Sequence, residues 1–335
     1  METRSPGAPT SGDPASNYIV PPEHLKHPGW SDPDAIWQMR IIDAHVHLYP
    51  PEVGRDPAGW AAGQGEPHWA TLCTRCRRGG RPVQAFPTVD QLLQDLDAGQ
   101  VEKAVLLGWY WEKPGTCVWQ NRFYADCIQA HPDRLAAFST IHPAMGEAAV
   151  REEIRRTHAD GFCGLGELSP HSQHWRMDDP VLASALELAG ELGMPVNLHV
   201  TDPAGKKYPG RIDTPLDDFR RVARAHRRTT FILAHWGGGL PLIEAAPEVR
   251  RDLANVVYDT AASPLVSDWR IWRSVFDVVS PDKVLFGSDY PLVLYPRVEE
   301  HPGWHGILKE INGAGLSATE KLQLLAGNTA RLLGI

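Results

Sequence analysis

The chain has 335 residues, 42% of them hydrophobic and 22% charged, with a formal net charge of -8 and a pI near 6.0. That is long for one domain but within the range of a single α/β barrel, with apolar residues enough for a large core. The acidic balance argues against nucleic acid or an anionic membrane surface as a partner, and no apolar run reaches the length of a membrane span.

The chain opens, from Met1 to about Pro33, with a stretch rich in Pro, Ser, Gly and Asp that lacks the basic and apolar regions of a secretory signal. Residues 1–38 are read as an arm or extended leader, and 39–335 as the folded unit. Five cysteines, an odd number, make no disulfide framework and fit a reducing cytoplasm. Cys73-x-x-Cys76 has no second pair at matching spacing, so two loop cysteines are preferred to half a zinc site.

Ile41-Ile42-Asp43-Ala44-His45-Val46-His47-Leu48 reads as a buried strand. Successive strand side chains point to opposite faces, so His45 and His47 point the same way. Two imidazoles side by side fill a core poorly and begin a metal site well.

Residues 50–87 form a long irregular connection carrying Trp60, His68, Trp69 and the cysteine pair, read as an ordered cap. Thr88-Val89-Asp90-Gln91 looks like a capping box opening a helix with Leu92, Leu93 and Leu96 as its stripe, stopped at Gly99. Strands are then expected at 101–107, 135–141, 163–168, 195–199, 230–234, 256–259 and 284–287. Helices are expected at 120–131, 146–159, 180–192, 216–226, 241–253 and 269–279. Near the end, Ser317-x-x-Glu320 is another capping box, and a helix over 328–333 stops at Gly334. Strands alternating with helices predict an α/β fold with a parallel sheet. Eight strands are the number that closes a distorted (β/α)8 TIM barrel, here with an irregular cap after strand one.

In such barrels the chemistry sits at the C-terminal ends of the strands. Strand one ends in His45 and His47, strand four in Glu167, strand five in His199, strand six runs into His235, and strand eight into Asp289. Each alone has an ordinary explanation as a surface or capping residue. Four histidines and two carboxylates on one face are hard to explain by chance, and all six are side chains that hold zinc or manganese.

The ordered motifs Asp43-Ala44-His45-Val46-His47, Pro195-Val196-Asn197-Leu198-His199, Ala234-His235-Trp236-Gly237-Gly238, Gly287-Ser288-Asp289-Tyr290-Pro291 and Gly327-Asn328-Thr329-Ala330-Arg331-Leu332-Leu333 resemble the amidohydrolase superfamily. The sequence is most similar to its amidohydrolase-related branch. That branch includes aminocarboxymuconate semialdehyde decarboxylase, aromatic-acid decarboxylases, and lactone and carbon–carbon bond hydrolases. The resemblance runs from about Arg40 to the C-terminus. It implies a distorted barrel with His45, His47, His199 and Asp289 as metal ligands, and His235 as a second ligand or an electrophilic partner. It also implies a small-molecule substrate and is compatible with a homodimer.

Strand four departs from the pattern. Many two-metal members use a carboxylated lysine there, whereas Gly164-Leu165-Gly166-Glu167 looks like the glutamate variant of TatD-like deoxyribonucleases. Glu167 would hold a second cation or add charge to the first, which tilts the expectation towards hydrolysis.

The expected enzyme is a metal-dependent hydrolase with one or two divalent ions, zinc before manganese. An ion held by His45, His47, Glu167, His199 and Asp289 would lower the pKa of a bound water, with Asp289 as general base and His235 polarising the substrate. A lactone, amide or carbon–carbon bond of a small carboxylated or cyclic compound would be cleaved. Metal-dependent decarboxylation of an aromatic or muconate-type acid is the alternative. A nuclease fits Glu167 but not the net charge of -8, and a barrel that binds metal without catalysis has no use for Asp289 as a proton carrier. Twelve tryptophans favour a flat substrate, with Trp60, Trp69 and Trp109 as candidate contacts and Tyr208 and Arg211 as a carboxylate clamp.

Overall fold

Short runs of aliphatic and β-branched residues, buried on both sides, are what a parallel sheet covered by helices selects. In the computed structural model, which describes residues 35–335, they form eight strands. These are β1 (Ile42–Val46), β2 (Lys103–Leu107), β3 (Leu135–Ser139), β4 (Gly164–Leu168), β5 (Val196–Leu198), β6 (Phe231–Leu233), β7 (Val256–Asp259) and β8 (Val284–Leu285). Each strand pairs in parallel with the next, in chain order from β1 to β8, and helices intervene. This is the expected (β/α)8 barrel. The arm expected over 1–38 lies, up to residue 34, outside the described residues.

The barrel closes between its first strand and the chain that follows its last. Ala44 N donates to Phe286 O at 2.8 Å, Asp289 N to His45 O at 2.9 Å, and His47 N to Tyr290 O at 2.7 Å. Asp43 reinforces this seam. Its buried carboxylate accepts from His45 N and Ser288 N, both at 3.0 Å, from Trp304 Nε1 at 2.6 Å, and from Ser288 Oγ. Burial nevertheless dominates and pushes the Asp43 carboxyl up from its ordinary value, the four donors offsetting only part of it.

An apolar cluster including Ile42, Ala44, Val105, Phe138 and Leu285 is packed by Ala330, Leu332 and Leu333 of the last helix (Asn328–Leu333). That helix ends, as expected, on Gly334 in the left-handed conformation, and Ser317 and Glu320 form the reciprocal capping box. At Thr88 only half of the box forms: its hydroxyl accepts from Gln91 N, while the Gln91 amide reaches Asp95 instead.

The structure differs from the sequence reading in several places, one being the helix expected over 120–131, which begins at Pro114 and ends at Ala130. The stretch 50–87, expected to be irregular, carries three short helices, Pro51–Arg55, Pro57–Gln64 and Pro67–Cys73, each opened by a proline. Proline suits the first helical turn, where its missing N–H has no partner to lose. The helix expected over 241–253 is divided into Leu240–Ile243 and Pro247–Asp252, because Pro247 drives the preceding residue out of the helical region.

Over the mouth of the barrel, these cap helices and the chain after β2 build a second, aromatic core of Tyr49, Trp69, Trp109, Tyr110 and Trp111. The loop after β5 closes against it, where His68 Nε2 lies 2.8 Å from Gly210 O.

Candidate metal centre

The period of two holds for the first strand. His45 Nε2 and His47 Nε2 converge to 3.2 Å, with their rings edge-on. Their other ring nitrogens are held from behind. His45 Nδ1 donates to Asp259 Oδ2 at 2.9 Å and His47 Nδ1 to Leu107 O at 3.1 Å, so both Nε2 atoms face the centre. His235 is oriented in the same way, its Nδ1 donating to Ala261 O at 3.1 Å.

Glu167, fully buried, sits between the histidines of opposite strands. Its Oε2 lies 3.6 Å from His47 Nε2 and 3.8 Å from His45 Nε2. Its Oε1 lies 2.9 Å from His199 Nδ1 and 3.5 Å from His235 Nε2. One carboxylate therefore presents one oxygen to each of two histidine pairs. The preceding Gly166 has φ +129°, and a Cβ there would stand 2.4 Å from Asn197 O, so only glycine delivers Glu167 to this position.

Asp289 completes the ring. Its Oδ1 is 3.5 Å from His47 Nε2 and 3.7 Å from His45 Nε2, and its Oδ2 is 3.9 Å from His235 Nδ1. Asp289 and His235 both adopt positive φ, 69° and 56°, conformations that cost side-chain-bearing residues on the order of 1–3 kcal/mol each. Both are held there by their own N–H groups, Asp289 to His45 O and His235 to Asp259 Oδ1.

The six expected residues thus come together, and three overlapping groups of them bring their donor atoms within 4.8 Å of one another: His45 with His47 and Glu167, His45 with His235 and Asp289, and Glu167 with His199 and His235. The electrostatics suit a cation. Burial alone would lower His45, but Asp259, Glu167 and Asp289 overcome it and raise the imidazole to about 10. Burial and the neighbouring positive His45 push His47 down to about 3, leaving it neutral. Glu167 is held well below the usual carboxylate range, its burial outweighed by His199, His235 and His45. Burial pushes Asp289 up to about 7 despite the same histidines. Nitrogen and oxygen donors oriented from behind and crowded around one point fit a zinc or manganese ion better than any bonding they achieve with one another.

Two supporting residues escaped the sequence reading. Asp259, at the end of β7, and Asn197, within a quoted motif, lie behind the donors: Asn197 Nδ2 donates to Asp259 Oδ2 at 2.9 Å. A strand ending in aspartate is the only signal Asp259 leaves in the sequence.

The candidate substrate contacts fall into different settings. Trp109 lies edge-on to His47, ring centroids 5.1 Å apart, and its buried Nε1 has no protein partner among the described residues. Trp60 stacks on Trp119 at 5.3 Å and abuts Trp69 and Trp111, within the cap core, where Trp69 is also buried. Tyr208 is partly exposed and carries the guanidinium of Arg75 5.1 Å above its ring. Arg211 is engaged by Asp213 Oδ1 at 3.1 Å and Asp202 O at 3.0 Å. Cys73 is buried 3.9 Å from Tyr49 Oη and Cys76 is exposed; all five cysteines are free.

Comparison with known proteins shows the family and the fold. The sequence model of the amidohydrolase family matches residues 42–335. Among solved structures, the 5-carboxyvanillate decarboxylase of Sphingomonas paucimobilis shares 18% identity, with a TM-score of 0.66 over 89% of this chain and 99% of that one. The 5-carboxyvanillate decarboxylase of Novosphingobium aromaticivorans, complexed with manganese and 4-hydroxy-3-methoxy-5-nitrobenzoic acid, shares 15%, with a TM-score of 0.67 over 89% and 97%. A probable 2-pyrone-4,6-dicarboxylic acid hydrolase of Acinetobacter baumannii shares 14%, with a TM-score of 0.58 over 89% and 100%. At these identities the likeness is one of fold.

Proposed function

The chain belongs to the amidohydrolase family, and from that premise we propose that it is a metal-dependent hydrolase of a small carbonyl compound. The observation that carries this reading is the division of the Glu167 carboxylate between two histidine pairs. His45, His47, Glu167 and Asp289 would hold one divalent ion, and Glu167, His199 and His235 a second, zinc before manganese. A bound ion lowers the pKa of water towards neutrality and polarises a carbonyl.

Asp289 takes the proton of the attacking water on its carboxylate and returns it to the leaving group. Burial raises this carboxyl in the metal-free protein, which favours its taking up a proton. His235, with Nδ1 committed to Ala261 O, offers Nε2 to the substrate oxygen or to an ion. The cap excludes bulk water through Trp109, Tyr110 and Trp111, all buried. Trp109 Nε1 is placed to donate to substrate. Arg75, which has no carboxylate partner among the described residues, and Tyr208 would meet an acidic group at the mouth. The five free cysteines agree with action in the cytoplasm. Among the described residues no helix is long and apolar enough to cross a membrane.

Decarboxylation of an aromatic acid is the second reading. It is favoured by the ring-lined approach, with Tyr110 stacked on Trp109 at 4.4 Å and tilted against His199 at 5.3 Å. The two similar carboxyvanillate decarboxylases act on such an acid. Here the bond to the carboxyl group breaks, carbon dioxide leaves, and Asp289 or His235 delivers a proton to the ring carbon.

Metal content by elemental analysis of wild type and Glu167→Gln decides. Close to two ions per wild-type chain and one in the variant is the expected result. One ion in both makes Glu167 a supporting group and favours decarboxylation. No ion in either overturns the metal mechanism.

A further inference from the structure

At the end of β7, one carboxylate serves both halves of the centre. Asp259 is fully buried and accepts four hydrogen bonds. Its Oδ2 takes the side chains of His45, from Nδ1 at 2.9 Å, and Asn197, from Nδ2 at 2.9 Å. Its Oδ1 takes the backbone N–H groups of His235 at 3.1 Å and Ala261 at 3.0 Å. Ala261 in turn offers its carbonyl to His235 Nδ1 at 3.1 Å, closing a ring through Asp259, Ala261 and His235. His45 and His235 belong to different histidine pairs around Glu167, so the same side chain orients a donor on each side.

We propose that Asp259 is a positioning residue for the metal centre: it fixes the proton of His45 on Nδ1, and so frees Nε2 for an ion, while anchoring the backbone that presents His235. The inference rests on the metal-centre reading above. Its chemistry is that of an acceptor that cannot donate. An ionised carboxylate holds no proton, so the imidazole nitrogen facing it must carry one, and the opposite nitrogen is the one that can give up its proton and offer its lone pair to an ion. His45 has no room for another arrangement, being fully buried with its ring edge-on to His47.

The substitution Asp259→Asn separates this role from a structural one. The Oδ1 position must stay an oxygen, because two backbone donors point at it. The new amide NH2 then faces His45 and Asn197. Asn197 can turn its own amide, whose Oδ1 has no partner among the described residues, to accept from it. His45 can accept only by moving its proton to Nε2, which closes the nitrogen meant for the ion. Shape and backbone anchoring are kept while the tautomer is reversed.

The test is the zinc affinity of the full chain by chelator competition, with the thermal midpoint of the metal-free protein measured alongside. For Asp259→Asn the expected result is zinc binding weakened roughly 10- to 100-fold in a protein that still folds, with a metal-free midpoint lowered by loss of the His45 ion pair. Equal zinc affinity in the two proteins overturns the proposal. So does a fall in midpoint with affinity preserved, which assigns Asp259 to structure alone. If wild type itself binds no zinc or manganese, the metal-centre reading fails first, and that outcome is visible without the variant. Should Asp259→Asn not fold, 15N-histidine spectra of zinc-loaded wild type give the same answer. A proton resolved on His45 Nδ1 supports the assignment, and a proton-free Nδ1 overturns it.

Discussion

The imidazole of His47 and the indole of Trp109 meet at 68°, edge to face, with centroids 5.1 Å apart. The histidine is a donor of the candidate centre and the tryptophan lies beside it, so in the proposed function the contact would join metal holding to substrate holding. Trp109 has its backbone N–H committed to Gln120 Oε1 at 2.7 Å, whereas its buried indole N–H has no protein acceptor among the described residues.

Trp109→Phe keeps the ring contact and removes that donor. A single hydrogen bond contributes about 0.5–1.5 kcal/mol net, so KM for the turned-over substrate should rise roughly 2- to 12-fold with kcat nearly unchanged. Steady-state kinetics check this. An unchanged KM means the indole N–H does not touch substrate.

Asp289→Asn should retain most of the metal, because the histidines and Glu167 remain, and lose turnover. Removal of a positioned acid–base group costs about 10²–10⁴ in rate. Metal content and kcat measured on the same preparation separate the two effects, and full activity in the variant removes Asp289 from the proton transfers.

Much of this centre could be read from the sequence, because a barrel gathers its strand ends whatever lies between them. His45 and His47 follow from the period of a strand, Glu167 from its place near the end of a fourth strand, and His199, His235 and Asp289 from their places beyond three others. Asp259 ends a strand as well, yet nothing local distinguishes a carboxylate that supports a ligand from one that caps a turn. Only the approach of His45, contributed by a strand 214 residues earlier, gives it a role. The cap helices were hidden for a different reason: at five to eight residues they show no amphipathic period, and their proline openings also read as breaks. Trp60 illustrates a further limit. Composition points to an aromatic contact, while burial against Trp69, Trp111 and Trp119 is settled by packing.

Proton competition should be visible in metal binding. His45, raised to about 10, and Asp289, raised to about 7, both hold protons in the metal-free protein that an ion must displace. Both folded-state values are raised. The stability they add to the metal-free fold is therefore present at low pH, and Asp289's share is lost as pH climbs through 7. Metal affinity runs the other way. It should rise about tenfold per pH unit above 7, where only His45 is protonated, and more steeply below. Titration calorimetry in buffers of different ionisation enthalpy counts the protons released. No release at pH 6 contradicts the assignment of these two groups as ligands.

Trp304→Phe tests the seam of the barrel. The substitution keeps the stacking on Tyr290, whose ring lies 4.8 Å away at 7°, but removes the N–H that Trp304 gives to Asp43. Leaving a buried carboxylate short of one donor should cost about 1–3 kcal/mol. Urea unfolding of the metal-free protein measures it, and an unmoved midpoint shows that Ser288 and the backbone donors suffice.

The seam also fixes when the centre can exist. Asp43 and Ser288 are separated by 245 residues, and the bonds between them stand between His45 and Asp289. A growing chain holding only β1 to β7 has the histidines and Glu167 without the last carboxylate, and has its first strand unpaired on one side. The full donor set therefore assembles only when the last strand joins the first. An ion held by both His45 and Asp289 would act as a clasp on a finished ring, and its removal should be felt first at the join between the first and last strands.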